Sequence, residues 1–239
     1  MKIAIIGYGK MGKEIEAIAL ERGHEIIAKL TSKDKDFSSD VIKEADACIE
    51  FTRPESAVEN LKKCFEAGVP VVTGTTGWYD QFENIKNECQ KFKGGLFYAT
   101  NFSIGVNLFF AINRYMGQLF NNYPEYKVSM EEIHHTQKLD APSGTAITTA
   151  ENILDNYSLK DGWTLLPEQK DSAIPIEAKR IENVPGTHTV TFESDIDKVE
   201  ISHEAKSRKG FALGSVLAAE FMKEKSGIYT MKDLLGIGG

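Results

Sequence analysis

A glycine pattern at the head of the chain constrains its fold more than any other feature. Gly7, Gly9 and Gly12 give Gly-x-Gly-x-x-Gly directly after the β-branched run Lys2 to Ile6. Lys13 to Arg22 then carries Ile15, Ile18 and Ala19 at helical spacing, closed by Gly23. Strand, tight turn and helix in that order aim main-chain N–H groups and the positive end of a helix at one point, which suits a pyrophosphate. Such glycines can also serve a turn alone. Their place at the head of a βαβ unit favours dinucleotide binding, with Lys10 adding local positive charge.

The rhythm that follows extends the unit into a sheet. His24 to Leu30, Ala45 to Phe51, Val69 to Thr73 and Leu96 to Thr100 read as further strands. Pro54 to Ala67 and Tyr79 to Phe92 read as helices, Pro54 suiting a helix start. Five strands alternating with helices predict a doubly wound parallel sheet, because parallel neighbours need crossover connections. After Asn101 the pattern changes to a long apolar helix (106–120), a strand (127–133), a helix (146–157), a polar stretch, and two alternating segments, THTVTFES and DKVEISHEA, that read as antiparallel strands. The segment Phe211 to Lys225 reads as a helix returning to the first domain. The expected class is α/β, a Rossmann-type doubly wound parallel sheet with an inserted α+β domain. The domains are expected at 1–103 plus 208–239 and at 104–207, with closure about the crossings near Ser103 and Arg208.

Composition excludes several functions. Asp plus Glu number 35 against 28 Lys plus Arg, a net charge of -7, so no broad basic surface exists for nucleic acid or acidic lipid. No run approaches the roughly 18 apolar residues of a membrane helix, and the N-terminal apolar run is too short for a secretory signal, so a cytoplasmic protein is expected. Cys48, Cys64 and Cys89 are odd in number and unpaired by spacing, and are expected as buried free thiols.

The carboxyl edge of the expected sheet collects candidate cofactor loops: Gly74, Thr75 and Thr76 after the fourth strand, and Ala99, Thr100, Asn101 and Phe102 after the fifth. Either set could equally be a plain turn or strand cap. The second strand ends at Thr31, where an acid would normally bind the ribose 2′-hydroxyl. With Ser32 and Lys33 following, the loop is expected to accept NADPH and to prefer it, with NADH as the other candidate.

The densest chemistry runs from Glu132 to Ala146, EIHHTQKLDAPSGTA. His134 and His135, adjacent on a strand, point to opposite faces, so no metal site is expected. Histidine suits proton transfer near neutral pH, and Lys138 can neutralise a carboxylate or serve as an acid. Ser143, Gly144 and Thr145 precede a helix whose free N–H groups make an anion site without net charge. Asp140 reads as a turn or cap residue. His188 and His203, in strand-like segments, read as packed or hydrogen-bonded. Phe97, Phe109 and Phe110 read as core, with Phe102 the candidate to stack on nicotinamide. Arg208 reads equally as a site residue or a solvated one.

These residues carry a close resemblance. HHTQKLDAPSGTA, with GYGKMG, EFTRP, TGTTG and ATNFSIGVN in order across nearly the whole chain, resembles the dihydrodipicolinate reductases, also called 4-hydroxy-tetrahydrodipicolinate reductases. The resemblance implies NAD(P)H-dependent reduction of a small cyclic dicarboxylate in diaminopimelate and lysine biosynthesis, by a homotetramer, and makes the inserted α+β domain the substrate and oligomerisation domain. It implies that His134 donates or accepts a proton, that Lys138 is the second proton donor, and that His135, Gly144, Thr145 and Thr76 contact substrate. It implies cofactor contacts at Gly7, Gly9, Lys10, Met11, Gly12, Thr31, Lys33, Gly74, Thr75, Thr76, Ala99, Asn101 and Phe102. The chain departs from the pattern in a glycine loop one residue shorter than in many members, in Thr31, and in Glu182. A different two-domain NAD(P) oxidoreductase, such as an amino-acid or semialdehyde dehydrogenase, and a nucleotide sensor without turnover are the competing readings.

Overall fold

A computed structural model describes residues 1–34 and 36–237. The chain divides into two compact units, Met1–Ile104 together with the stretch from Lys209 onward, and Gly105–Arg208.

In the first unit, β1 (Lys2–Ile6), β2 (Glu25–Leu30), β3 (Ala47–Glu50), β4 (Val71–Thr73) and β5 (Gly95–Tyr98) alternate with α1 (Lys10–Glu21), α2 (Pro54–Glu66) and α3 (Phe82–Lys91). A sixth strand, β11 (Gly227–Tyr229), follows the returning helix α6 (Lys209–Met222) and precedes α7 (Met231–Leu235). The sheet order is β11-β5-β4-β3-β1-β2, with every pair parallel. The five expected strands are therefore six. Three-residue β11 is too short to show a period in the sequence.

Burial of both sheet faces explains the near-continuous apolar strands. Ile3, Ile5 and Ile49 pack under α1 and α6 with Ala212, Val216 and Ala219, while Ala4, Ile6 and Cys48 face α2 and α3 with Leu61, Phe65 and Ile85. Gly214 lies so close to the Phe102 carbonyl that a Cβ there would stand 1.7 Å from its oxygen. All three cysteines are free and buried.

The second unit contains α4, which begins at Ile104 and ends at Phe120, then β6 (Lys127–His134), α5 (Gly144–Leu154), β7 (Gly162–Leu165), β8 (Ala173–Arg180), β9 (Thr187–Glu193) and β10 (Lys198–Glu204). Its mixed sheet runs β10-β9-β6-β8-β7. The antiparallel β9–β10 pair is as the alternation predicts. The stretch read as merely polar holds β7 and β8, a correction with a physical cause. Pro175 and the surrounding charges mask β8, yet Pro175 falls outside the β6 ladder, which starts at Met130 with Ile176. No helix among the described residues is long and apolar enough to cross a membrane.

Candidate active site

Strand alternation builds the catalytic end. In β6 the side chains of Val128, Met130, Glu132 and His134 face the core in turn. Pairing then places Glu132 opposite His188 of β9, and His134 opposite Arg180 of β8. The Glu132 carboxylate, wholly buried, accepts the Ser143 N–H at 3.1 Å from each oxygen and the Arg180 Nη2 at 3.2 Å. It also lies 3.3 Å from His134 Nδ1 and 3.7 Å from His188 Nε2. Burial pushes this carboxyl up, but the contacts with His134 and Ser143 outweigh it and hold it at about 2.

Ser143 caps α5, its Oγ accepting the Ala146 N–H at 3.1 Å and meeting His188 Nε2 at 3.0 Å. The helix starts two residues earlier than its apolar pattern suggests, which makes Gly144 and Thr145 its first two residues. Their N–H groups precede the first intrahelical bond, in which Ile147 N–H donates to the Ser143 carbonyl. Space in front of Gly144 is open, since an added Cβ there meets nothing within 4 Å. The open helix start could hold an anion, and its cap is tied to His134 through one carboxylate.

Lys138 forms an ion pair with Asp140, its Nζ 2.9 and 2.8 Å from the two oxygens, which holds the Asp140 carboxyl below its usual range. Asp140, read as a turn residue, is thus also the partner of Lys138. His135 lines a cavity of 490 Å³ whose walls include Thr136, Glu182, Asn183 and Arg208.

His188 is buried and hydrogen-bonded, as the sequence suggests. Burial, followed by the charge of nearby His134, lowers it to about 4. The unfolded chain therefore takes up this proton first as pH falls below about 6.5, and stability drops at roughly 1.4 kcal/mol per unit down to about pH 4. Wild type should lose about 2 kcal/mol more unfolding free energy between pH 7 and pH 5 than His188→Asn does, by urea titration. Equal losses would show that His188 does not govern this window.

Glu132, His134 and His188 also bring a carboxylate and two imidazoles within 4.8 Å of one another. The sequence argument considered only adjacent His134 and His135, and strand pairing supplies His188 instead. Charge is nevertheless already provided by Arg180, and Ser143 engages both Glu132 oxygens and His188 Nε2. The buried Nδ1 atoms of His134 and His188 have no hydrogen-bond partner among the described residues.

In the first unit the glycines divide their roles. Gly7, at φ 102°, has Phe51 O 2.0 Å from where a Cβ would stand, and Gly12 has Gly7 O at 2.6 Å, so both allow close packing of turn on strand. Gly9 instead opens onto empty space at the start of α1, which has no side-chain cap and no acid in its first turn. The N–H groups of Lys10, Met11 and Gly12 therefore fit an external anion. A cleft of 650 Å³ extends from Gly7 and Gly9 along Thr31 and Thr52, at the point where the strand order reverses between β1 and β3. These residues fit a dinucleotide.

Other expected cofactor residues hold different positions. Thr76 is exposed. Thr75 is buried, its hydroxyl accepting from Thr52 N–H at 2.8 Å and donating to buried Glu50 at 3.1 Å, so only its main chain can reach a ligand. Phe102 is 2% exposed, its ring against Phe51 and Phe97, which removes it as a stacking surface. Gly74 packs on the Phe51 ring, the Ala99 N–H donates to Thr73 O, and Asn101 Oδ1 accepts from Ser103 N–H at 2.9 Å. The loop after β2 is not free of carboxylates. Asp34 accepts the Thr31 N–H at 2.9 Å and its hydroxyl at 2.8 Å, and these bonds lower its carboxyl below the usual range. Lys33 beside it is exposed.

Sequence reasoning gave no role to Glu132, Arg180 or Gly186. Glu132 was legible, because residues two apart on a strand share a face with His134. Arg180 was hidden in the unread β8. Gly186, at φ 155°, would place a Cβ 2.9 Å from His134 Nε2.

Comparison with known proteins decides the family. Residues 1–102 match the model described as dihydrodipicolinate reductase, N-terminus, and residues 105–235 match dihydrodipicolinate reductase, C-terminus. The 4-hydroxy-tetrahydrodipicolinate reductase of Christiangramia forsetii is 51% identical over 237 residues, covering 98% of each chain. The chain belongs to the dihydrodipicolinate reductase family. A family member from Neisseria meningitidis serogroup B is 35% identical, over 93% of this chain and 84% of its own. Among solved structures, the dipicolinate-bound dihydrodipicolinate reductase of Paenisporosarcina sp. TG-14 superposes with a TM-score of 0.78 over 96% of this chain and 97% of its own; at 23% identity it speaks for the fold alone. The resemblance read from the sequence and the Rossmann-type α/β class are borne out. As a member of this family the chain is an oxidoreductase that uses a nicotinamide cofactor.

Proposed function

We propose that the chain reduces 4-hydroxy-tetrahydrodipicolinate (dihydrodipicolinate) to tetrahydrodipicolinate, a step of diaminopimelate and lysine formation. The reading rests on one observation: His134 and the open N-terminus of α5 are joined through Glu132 into a single site. Gly144 and Thr145 N–H groups hold one carboxylate of the cyclic diacid, and Lys138, exchanging Asp140 for substrate, holds the other side. His134 donates the proton that completes the reduction, with Lys138 as the second donor. His135 and Thr76 are assigned to substrate contact. When bound, the reduced nicotinamide supplies the hydride. The N–H groups of Lys10, Met11 and Gly12 hold its pyrophosphate. Gly7, Gly9 and Gly74 shape the cofactor loops, to which Thr75, Ala99, Asn101 and Phe102 contribute main chain.

A spectrophotometric assay of NADPH and NADH oxidation with freshly generated dihydrodipicolinate tests the function. Turnover dependent on that substrate supports it, and none with either cofactor sinks it. Turnover with an amino acid or semialdehyde alone would favour a different dehydrogenase.

The cofactor ratio is set by the loop after β2. Thr31 and Lys33 favour the 2′-phosphate of NADPH, but Asp34 places an ionised carboxylate in the same loop. Asp36, Glu55 and Glu59 also line the cleft, against Arg53. We therefore infer that both cofactors serve, with Asp34 restraining NADPH. Removing one negative charge from the loop proposed to receive the 2′-phosphate should raise the NADPH to NADH ratio of kcat/KM about tenfold in Asp34→Ala. An unchanged ratio would remove Asp34 from the specificity argument.

A further inference from the structure

His134 can exchange a proton through either ring nitrogen, and the surroundings of the two differ. Nδ1 is buried, with no well-aligned hydrogen-bond partner, and its nearest polar neighbour is the Glu132 carboxylate at 3.3 Å. Nε2 faces the backbone of Gly186, where the missing side chain leaves room. The ring is flanked edge-on by His188, at 5.0 Å between centroids. The groups facing this ring are Glu132 on its own strand, His188 from β9, and Arg180 from β8 acting through Glu132.

We propose that Glu132 is a positioning residue serving both halves of the site. Its carboxylate accepts a hydrogen bond from the Nδ1–H of His134, which keeps that proton on the ring, fixes the tautomer and leaves Nε2 to exchange the catalytic proton. The same two oxygens hold the Ser143 N–H, which fixes the cap of the helix that grips the substrate carboxylate. After donation from Nε2 the ring is neutral and keeps its Nδ1 proton on Glu132, so the proton lost to substrate is replaced from solvent and Glu132 stays ionised throughout. Arg180 balances the Glu132 charge from the opposite side, its Nη2 on Oε1 and also on the Asp140 carbonyl at 2.6 Å. Ion pairing with Arg180 and the Ser143 N–H thus keeps a buried carboxylate available without a metal.

The inference rests on the proposed reductase reading, and the test separates the two. Glu132→Gln keeps the shape and one acceptor oxygen for Ser143 and Arg180, but its amide N–H turns toward Nδ1 and favours the opposite tautomer. Turnover should fall roughly 10²-fold while the KM for dihydrodipicolinate and the Kd for pyridine-2,6-dicarboxylate stay within about threefold. A purely structural role would instead weaken substrate binding or folding along with turnover. Independently of whether that variant folds, ¹⁵N-histidine NMR of the wild-type protein at alkaline pH should show the His134 ring protonated at Nδ1. A wild-type ring protonated at Nε2, or a folded Glu132→Gln enzyme with undiminished kcat, would overturn the proposal and leave the reductase reading standing. Wild-type enzyme without dihydrodipicolinate turnover would overturn that reading instead, while the tautomer measurement still judges Glu132.

Discussion

His134→Gln is expected to lower kcat by about 10²- to 10⁴-fold while leaving the Kd for NADPH within about twofold, because the role proposed for the imidazole is to supply a proton, whereas the glycine turn proposed to hold the cofactor belongs to the other unit. His134 closes the buried face of β6, where Glu132 sits beneath Nδ1 and Gly186 beside Nε2. Glutamine can fill much of that volume and donate a hydrogen bond, but it cannot release a proton near neutral pH. Stopped-flow turnover beside fluorescence titration of the cofactor separates the two quantities. Equal losses in both would remove His134 from proton transfer and make it a structural residue.

Gly186→Ala carries the second largest expectation, from a position with no chemistry of its own. At φ 155° the backbone there disfavours an L side chain, at a cost of about 1–3 kcal/mol. The new methyl would stand 2.9 Å from His134 Nε2, a contact that backbone or ring must relieve. Turnover should fall about 100-fold or more, since small misplacements of a reacting group are costly, and Tm should fall by several degrees. Thermal unfolding together with steady-state kinetics checks both. Loss of stability with full turnover would mean that Nε2 is not the working nitrogen.

Much of this was legible in the chain, for physical reasons that also mark the limits. The glycine turn, the apolar strands and the alternation with helices report a sheet buried on both faces, so the class and the positions of the first five strands along the chain follow from local pattern. The start of α5 was legible to within two residues, because hydroxyl-bearing residues and a glycine precede an apolar helical run. Asp34 was not, because its effect depends on a turn that folds it back three residues onto Thr31. Arg180 and His188 were not, because their closeness to Glu132 is set by the register of β8 and β9 against β6, a long-range quantity that no local pattern encodes. Phe102 misled in the opposite direction. Its position after β5 suggests a cofactor contact, yet its ring is drawn into the core with Phe51 and Phe97.

The central claim is that a small cyclic dicarboxylate is held at the first turn of α5 beside His134. A crystal structure of the protein soaked with pyridine-2,6-dicarboxylate tests it most directly. The account predicts one carboxylate on the Gly144 and Thr145 N–H groups and the other side on Lys138, released from Asp140. Density for the diacid elsewhere, with the Lys138–Asp140 pair intact and the first turn of α5 bare, would contradict it.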